Sequence, residues 1–152
     1  DLVVISNEPT VLHGANYSLD PPADPAIEQQ KQLRSPRIAV YCGTYNTYMN
    51  MMTSAKSLLW HTPMDKIYFL IEDDVFPYEL PDNGIIECIN VKDQQFFPVT
   101  GPNYHNSWSY MCMMRAVFTK LIPYDKVLSL DNDVVINEDI STLFDDYDMS
   151  DY

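Results

Sequence analysis

The pattern of apolar and polar residues changes character near residue 37. Before it, Pro9, Pro21, Pro22, Pro25 and Pro36 punctuate a polar stretch with a glutamine-rich middle and no steady period. Such a stretch can bury little. Residues 1–36 are therefore expected to form an extension or linker, with a short strand at 2–5 and a short helix at 27–33. Residues 37–152 are expected to form one domain.

From residue 37 the apolar positions fall into two periods. Residues 37–42, 66–71 and the shorter 85–91 are nearly continuous apolar runs, as in parallel strands covered on both faces. Between the first two, Tyr48, Met51, Met52, Ala55 and Leu59 recur at helical spacing. They predict a helix over 48–61 with one stripe against the sheet, ended by Pro63. Strand, helix and strand in this order form the unit of a parallel sheet with a right-handed crossover.

Residues 106–121 are apolar almost all round. Tyr110, Met113, Met114, Val117 and Leu121 make one stripe; Trp108, Met111, Cys112, Phe118 and Ile122 make a second. The pattern predicts a helix buried on two faces. Arg115 lies in the second stripe, where a guanidinium that does not deprotonate needs an anionic or carbonyl partner. An internal acid and a bound ligand would each meet that need. After Pro123 the run 126–136 predicts a buried strand through Val127, Leu128 and Leu130, an Asp-Asn-Asp tip, and a further short strand at 134–137. A short helix is expected at 138–144, then an acidic, unanchored end.

Asp131 and Asp133 are the most informative pair in the chain. Two carboxylates one residue apart, on a tip at a sheet's carboxyl edge, can chelate one hard divalent cation, Mn2+ or Mg2+. Such a cation would in turn hold a diphosphate. An ordinary strand-end turn is the alternative, since Asp and Asn are common turn formers. An EF-hand does not fit, because Val135 and Ile136 stand where that loop needs a ligand and a glycine. Glu72, Asp73 and Asp74 are expected to be a solvated strand end, and the long loop 92–106 is of a length usually functional or mobile.

Charge narrows the partners. A formal net charge of −13 argues against nucleic acid and against attraction to an anionic membrane surface. No apolar run is long enough to span a bilayer. Cys42, Cys88 and Cys112 show no Cys-x-x-Cys spacing, and two sit in apolar runs, as free thiols do in a reduced, cytoplasmic setting. The sequon Asn16-Tyr17-Ser18 is too short a pattern to carry weight.

Arg115, Pro123 and the run Tyr124-Asp125-Lys126-Val127-Leu128-Ser129-Leu130-Asp131-Asn132-Asp133-Val134-Val135-Ile136 resemble the retaining nucleotide-sugar glycosyltransferases of family 8. The block 38–60, with Asn46 and Ser54-Ala55-Lys56-Ser57-Leu58, and Leu143-Phe144-Asp145 are similar to the same family in order and spacing. Ser129 stands where the family usually has Tyr. The resemblance implies a GT-A fold, an α/β Rossmann-like, mostly parallel sheet with flanking helices. It implies that Asp131 and Asp133 hold Mn2+ or Mg2+ on the diphosphate of a UDP-sugar donor. Gly43, Thr44 and Asn46 would cradle uracil and ribose, Asn132 would lie near the ribose, and Arg115 would meet the phosphate or sugar. Thr44 replaces the family's usual Asp or Asn.

The family's third metal ligand, a His in a His-x-x-Gly-x-x-Lys-Pro-type motif, and its acceptor-binding half have no counterpart here; His13, His61 and His105 all precede Asp131. No catalytic base or nucleophile can be named. The implied activity is hexosyl transfer to a saccharide, lipid-linked or protein acceptor, with a catalytically incomplete binding module as the alternative. A metal-dependent phosphatase or nucleotidyltransferase would also use paired Asp, but would require neither Arg115 nor Asn46.

Overall fold

The computed structural model describes residues 34–102, 104 and 109–147. The expectations for 1–33, the sequon, His13, His105, Trp108 and the last residues of the acidic end lie outside the described residues. Strands β1 (Ile38–Cys42), β2 (Lys66–Ile71), β3 (Ile86–Asn90) and β4 (Leu128–Ser129) form a parallel sheet in the order β3-β2-β1-β4. β1 is buried along its whole length because it is central and covered on both faces.

Alternation along β1 and β2 sends side chains to two cores. Ala39, Tyr41, Ile67, Phe69 and Ile71 face helix α1 (Tyr48–His61) and pack on Tyr48, Met51, Met52, Ala55 and Leu58. Ile38, Val40, Cys42, Tyr68 and Leu70 face the segment that carries Tyr110, Met111, Met114, Phe118 and Ile122. The result is a three-layer α/β arrangement of Rossmann type. Helix α1 starts and stops as the apolar stripe predicts, except that Leu58 is buried and Leu59 only half-buried. Within the first core, Tyr41 and Ser54 share a 3.0 Å hydrogen bond, and burial pushes the Tyr41 hydroxyl up to about 12.

Four expectations are corrected. The segment after residue 108 is α-helical only over α2 (Ser109–Met113) and continues as 3-10 turns at Met114–Ala116 and Phe118–Lys120. It is buried on one face, because only one side meets the sheet, and Cys112, Met113 and Arg115 are exposed. The β-branched Val117 and Thr119 also lower its α-helical propensity. Strand β4 is short and half-buried, since it lies at the sheet's edge beside β1 alone among the described residues. Residues 134–137 form no strand; they run beside α1, where the Ile136 amide donates to Ser57 Oγ at 2.9 Å. The last helix, α3 (Thr142–Asp145), is shorter than 138–144. Asp139 accepts from the Ser141 amide at 2.9 Å just before it, a local turn that competes with helix.

Candidate functional site

The carboxyl ends of β1 and β4 are joined by one side chain. Asn132 Nδ2 donates to the Cys42 carbonyl at 2.9 Å, fastening the Asp131–Asn132–Asp133 tip to the end of β1. Its Oδ1 is buried and has no hydrogen-bond partner among the described residues. A buried acceptor left in that state is costly unless a ligand or water meets it.

Gly43 follows directly, its amide donating to the Leu70 carbonyl at 3.1 Å. A Cβ here would collide with Met51 Sδ, lie 2.6 Å from Thr47 Oγ1 and 3.1 Å from Asn132 Nδ2. Only glycine allows α1, the turn and the Asp tip to approach so closely. The turn itself is closed by Thr47, whose Oγ1 accepts from the Thr44 amide and donates to the Thr44 carbonyl, both at 3.0 Å.

Two clefts adjoin this turn. One, of about 380 Å³, is lined by Thr44, Tyr45, Asn46, Glu72, Tyr104 and Tyr110, among others. The other, of about 530 Å³, is lined by Thr47, Asn50, Cys112, Arg115, Asp131, Asn132 and Asp133. Both are of ligand-binding size. The structure thus brings Arg115, Asp131, Asn132 and Asp133 together in one cleft and places Thr44 and Asn46 in its neighbour. Gly43 supports the turn between them.

Arg115 is not buried as its stripe suggested. It reaches into the cleft and forms an ion pair with Asp131 through Nη2 and Oδ1. That bond holds the guanidinium above its ordinary value, against a smaller opposing effect of burial. The two side chains remain 42% and 52% exposed, so water competes with the pair and weakens it. Of the two open possibilities for Arg115, the internal acid is therefore realised, and the acid is a proposed metal ligand. Beside it, burial pushes the Cys42 thiol up to about 12.

The carboxyl end of β2 is less solvated than expected. Tyr48 donates its hydroxyl to Asp73 Oδ2 at 2.8 Å and accepts the Glu72 amide at 3.1 Å. Burial raises the Tyr48 hydroxyl above its usual range, and the bond to Asp73 raises it further. Tyr110 is raised in the same way, by burial first and then by the charge of Glu72. The rings of Tyr104 and Tyr110 stack at 4.9 Å and 9°. Sequence reasoning passed over Tyr104 and gave Tyr110 only a place in the apolar stripe; eleven tyrosines in the chain were the available signal.

Among the described residues no three His, Cys, Asp or Glu side chains converge to hold a metal. His61 closes α1, whose other end borders the cleft through Asn50, so it is not a third ligand at the Asp tip. Asp131 and Asp133 nonetheless suit an ion that takes one or two carboxylates and completes its shell with water and phosphate. A cation already stands at this position, the guanidinium of Arg115. The donor chemistry fits a divalent ion with phosphate as co-ligand, and does not fit a closed, all-protein cage.

A parallel sheet with a polar cleft at its carboxyl edge belongs to the α/β class in which ligands bind outside the strand ends. The model for Glycosyl transferase family 8 matches residues 38–152, and the chain belongs to that family. It is similar to xylosyl- and glucuronyltransferase LARGE1 of Danio rerio, 29% identical over 124 residues, which is 75% of this chain and 16% of the relative. It is also similar to glycosyltransferase GlyE of Streptococcus pneumoniae, 29% identical over 119 residues, or 72% of this chain and 28% of the relative. The chain thus spans less than a third of either relative's length. No helix among the described residues is long and apolar enough to cross a membrane.

Proposed function

We propose that the cleft at the carboxyl edge binds the diphosphate of a UDP-sugar through one Mn2+ or Mg2+, for transfer of a hexose with retention of configuration. The observation that carries this reading is the meeting of Asp131, Asp133 and Arg115 in one cleft beside the strand ends. When bound, the metal supplies Lewis-acid stabilisation of charge on the departing UDP. Asp131 and Asp133 would hold it. Asn132 keeps their tip on the end of β1, and in this reading its buried, unpartnered Oδ1 would accept from a ribose hydroxyl of the bound donor. Thr44 and Asn46 offer polar groups to uracil and ribose in the neighbouring cleft, where Tyr104 and Tyr110 add aromatic surface. Arg115 can bind phosphate oxygens in a bidentate manner.

A binding module without catalysis is the second reading. It is favoured by the lack, among the described residues, of a third His, Cys, Asp or Glu side chain converging with Asp131 and Asp133. Hexose transfer or UDP-sugar hydrolysis by the chain would decide for the enzyme.

Calorimetric titration of UDP with and without Mn2+ tests the donor site. Mn2+ is expected to be required, and Asp131→Ala/Asp133→Ala is expected to weaken binding by about a hundredfold or more, given that loss of even outer-shell partners costs 10–100-fold. Equal UDP affinity in the folded wild-type chain and the double variant would overturn the assignment.

A further inference from the structure

We propose that Arg115 is a built-in counter-ion for the metal site: it holds Asp131 while no divalent ion is bound and is released toward the donor's phosphates when one binds. The inference rests on the metal-binding reading above and adds an order of events to it.

Among the described residues lining the cleft, Arg115 is the one cation, against the carboxylates of Asp131 and Asp133. With the ion pair formed, one carboxylate is taken and the lining keeps a net negative charge, which repels a diphosphate. Arg115 does not deprotonate, so only displacement of the guanidinium frees the Asp131 oxygen it occupies. A divalent ion at both carboxylates would neutralise them and leave the guanidinium unpaired. The lining would then be positive, with a planar fork suited to phosphate. The same arginine would hinder the metal before binding and assist the nucleotide afterwards.

The arrangement suits reversible exchange. Both side chains are about half exposed, so the pair is weak enough to be broken by a modest competitor. Arg115 sits on the 3-10 turn Met114–Ala116, whose Met114 is fully buried against β1 and β2. The backbone is thereby fixed, and the long side chain can swing without disturbing the core. A permanent structural ion pair would predict the opposite dependence on Arg115.

Titration of Mn2+ alone, read by calorimetry or by the spin resonance of free Mn2+, tests the idea on the wild-type chain, Arg115→Met and Lys120→Met. Lys120 is exposed, lies on the same segment and does not line the cleft, so it controls for loss of charge alone. Arg115→Met is expected to bind Mn2+ about 2- to 5-fold tighter than wild type, the range that a half-exposed ion pair can withhold. Its UDP affinity at saturating Mn2+ should fall about tenfold, as a charge-assisted phosphate contact is lost. Lys120→Met should leave both values within about twofold. Mn2+ binding by Arg115→Met that is unchanged or weaker, or an equal gain in Lys120→Met, would overturn the counter-ion role and leave the metal site standing. No Mn2+ binding by the wild-type chain would remove the metal reading itself.

Discussion

Replacing Phe144 by alanine is expected to destabilise the folded unit by about 3–5 kcal/mol, the range for emptying a buried aromatic site. Phe144 is 1% exposed and packs into the core between the sheet and α1. Its neighbours tie the same short helix to the sheet. Arg37 Nη2 meets Asp145 Oδ2 at 2.6 Å, and Lys126 Nζ donates to the Phe144 carbonyl at 2.6 Å and to the Tyr147 carbonyl. The partially open cavity of about 370 Å³ along β4, which Phe144 also lines, allows some collapse and favours the lower end of the range. Against a typical total of about 5–15 kcal/mol, such a loss would be visible as a large fall in the urea midpoint. A loss below about 1 kcal/mol would mean that the ion pair and the lysine bonds anchor α3 without the ring.

The second large effect is expected at Gly43. Gly43→Val should destabilise the unit by about 1–3 kcal/mol, as overpacking of a tight site does. It should also remove Mn2+-dependent UDP binding. The cause is crowding and not backbone strain, because the only described glycine with a left-handed φ is Gly84. The new side chain would push on Met51, which is fully buried, and on Thr47 and Asn132, which close the turn and fasten the Asp tip. Stability and binding should therefore fall together in denaturation and calorimetry. Wild-type UDP affinity in Gly43→Val would show that the turn and the Asp tip need not touch.

The first two strands and the helix between them were legible because their patterns had one physical cause each. β1 and β2 are continuous apolar runs because both faces are covered, and α1 shows one stripe because one side is. The later chain misled for a related reason. Val127, Leu128 and Leu130 are as apolar as a central strand, yet they lie at an edge and are half-buried. Residues 134–136 look like a strand, but the Ile136 amide goes to the Ser57 side chain of α1. The all-round apolarity after residue 108 spoke for two covered faces, where the structure covers one. Composition does not reveal how much of an apolar surface finds a cover.

The site was legible in part. The spacing of Asp131 and Asp133 pointed to a cation, and an arginine on an apolar stripe pointed to an anionic partner. Which anion it meets depends on how the segment after α2 crosses the sheet, and no local pattern encodes that. The role of Tyr48, bridging Asp73 and the Glu72 amide, was hidden because its position also fitted the buried stripe.

The path of the chain beyond Asp133 has a consequence for how the unit forms. Ile136 and Ile140 are held to Ser57 and Thr62 across 79 and 78 positions, and Asp145 is held to Arg37 across 108. The pairing of β1 with β2, by contrast, closes a loop of fewer than thirty residues. Long loops close later than short ones, because their entropy must be lost before any contact rewards it. The cleft should therefore be the last part of the unit to appear during refolding. Pulsed hydrogen exchange should find the Gly43 and Ile67 amides, which donate to Leu70 and Ile85, protected before those of Ile136 and Ile140, and simultaneous protection would refute that order. A nascent chain would then carry a sheet before it carries a place for a ligand.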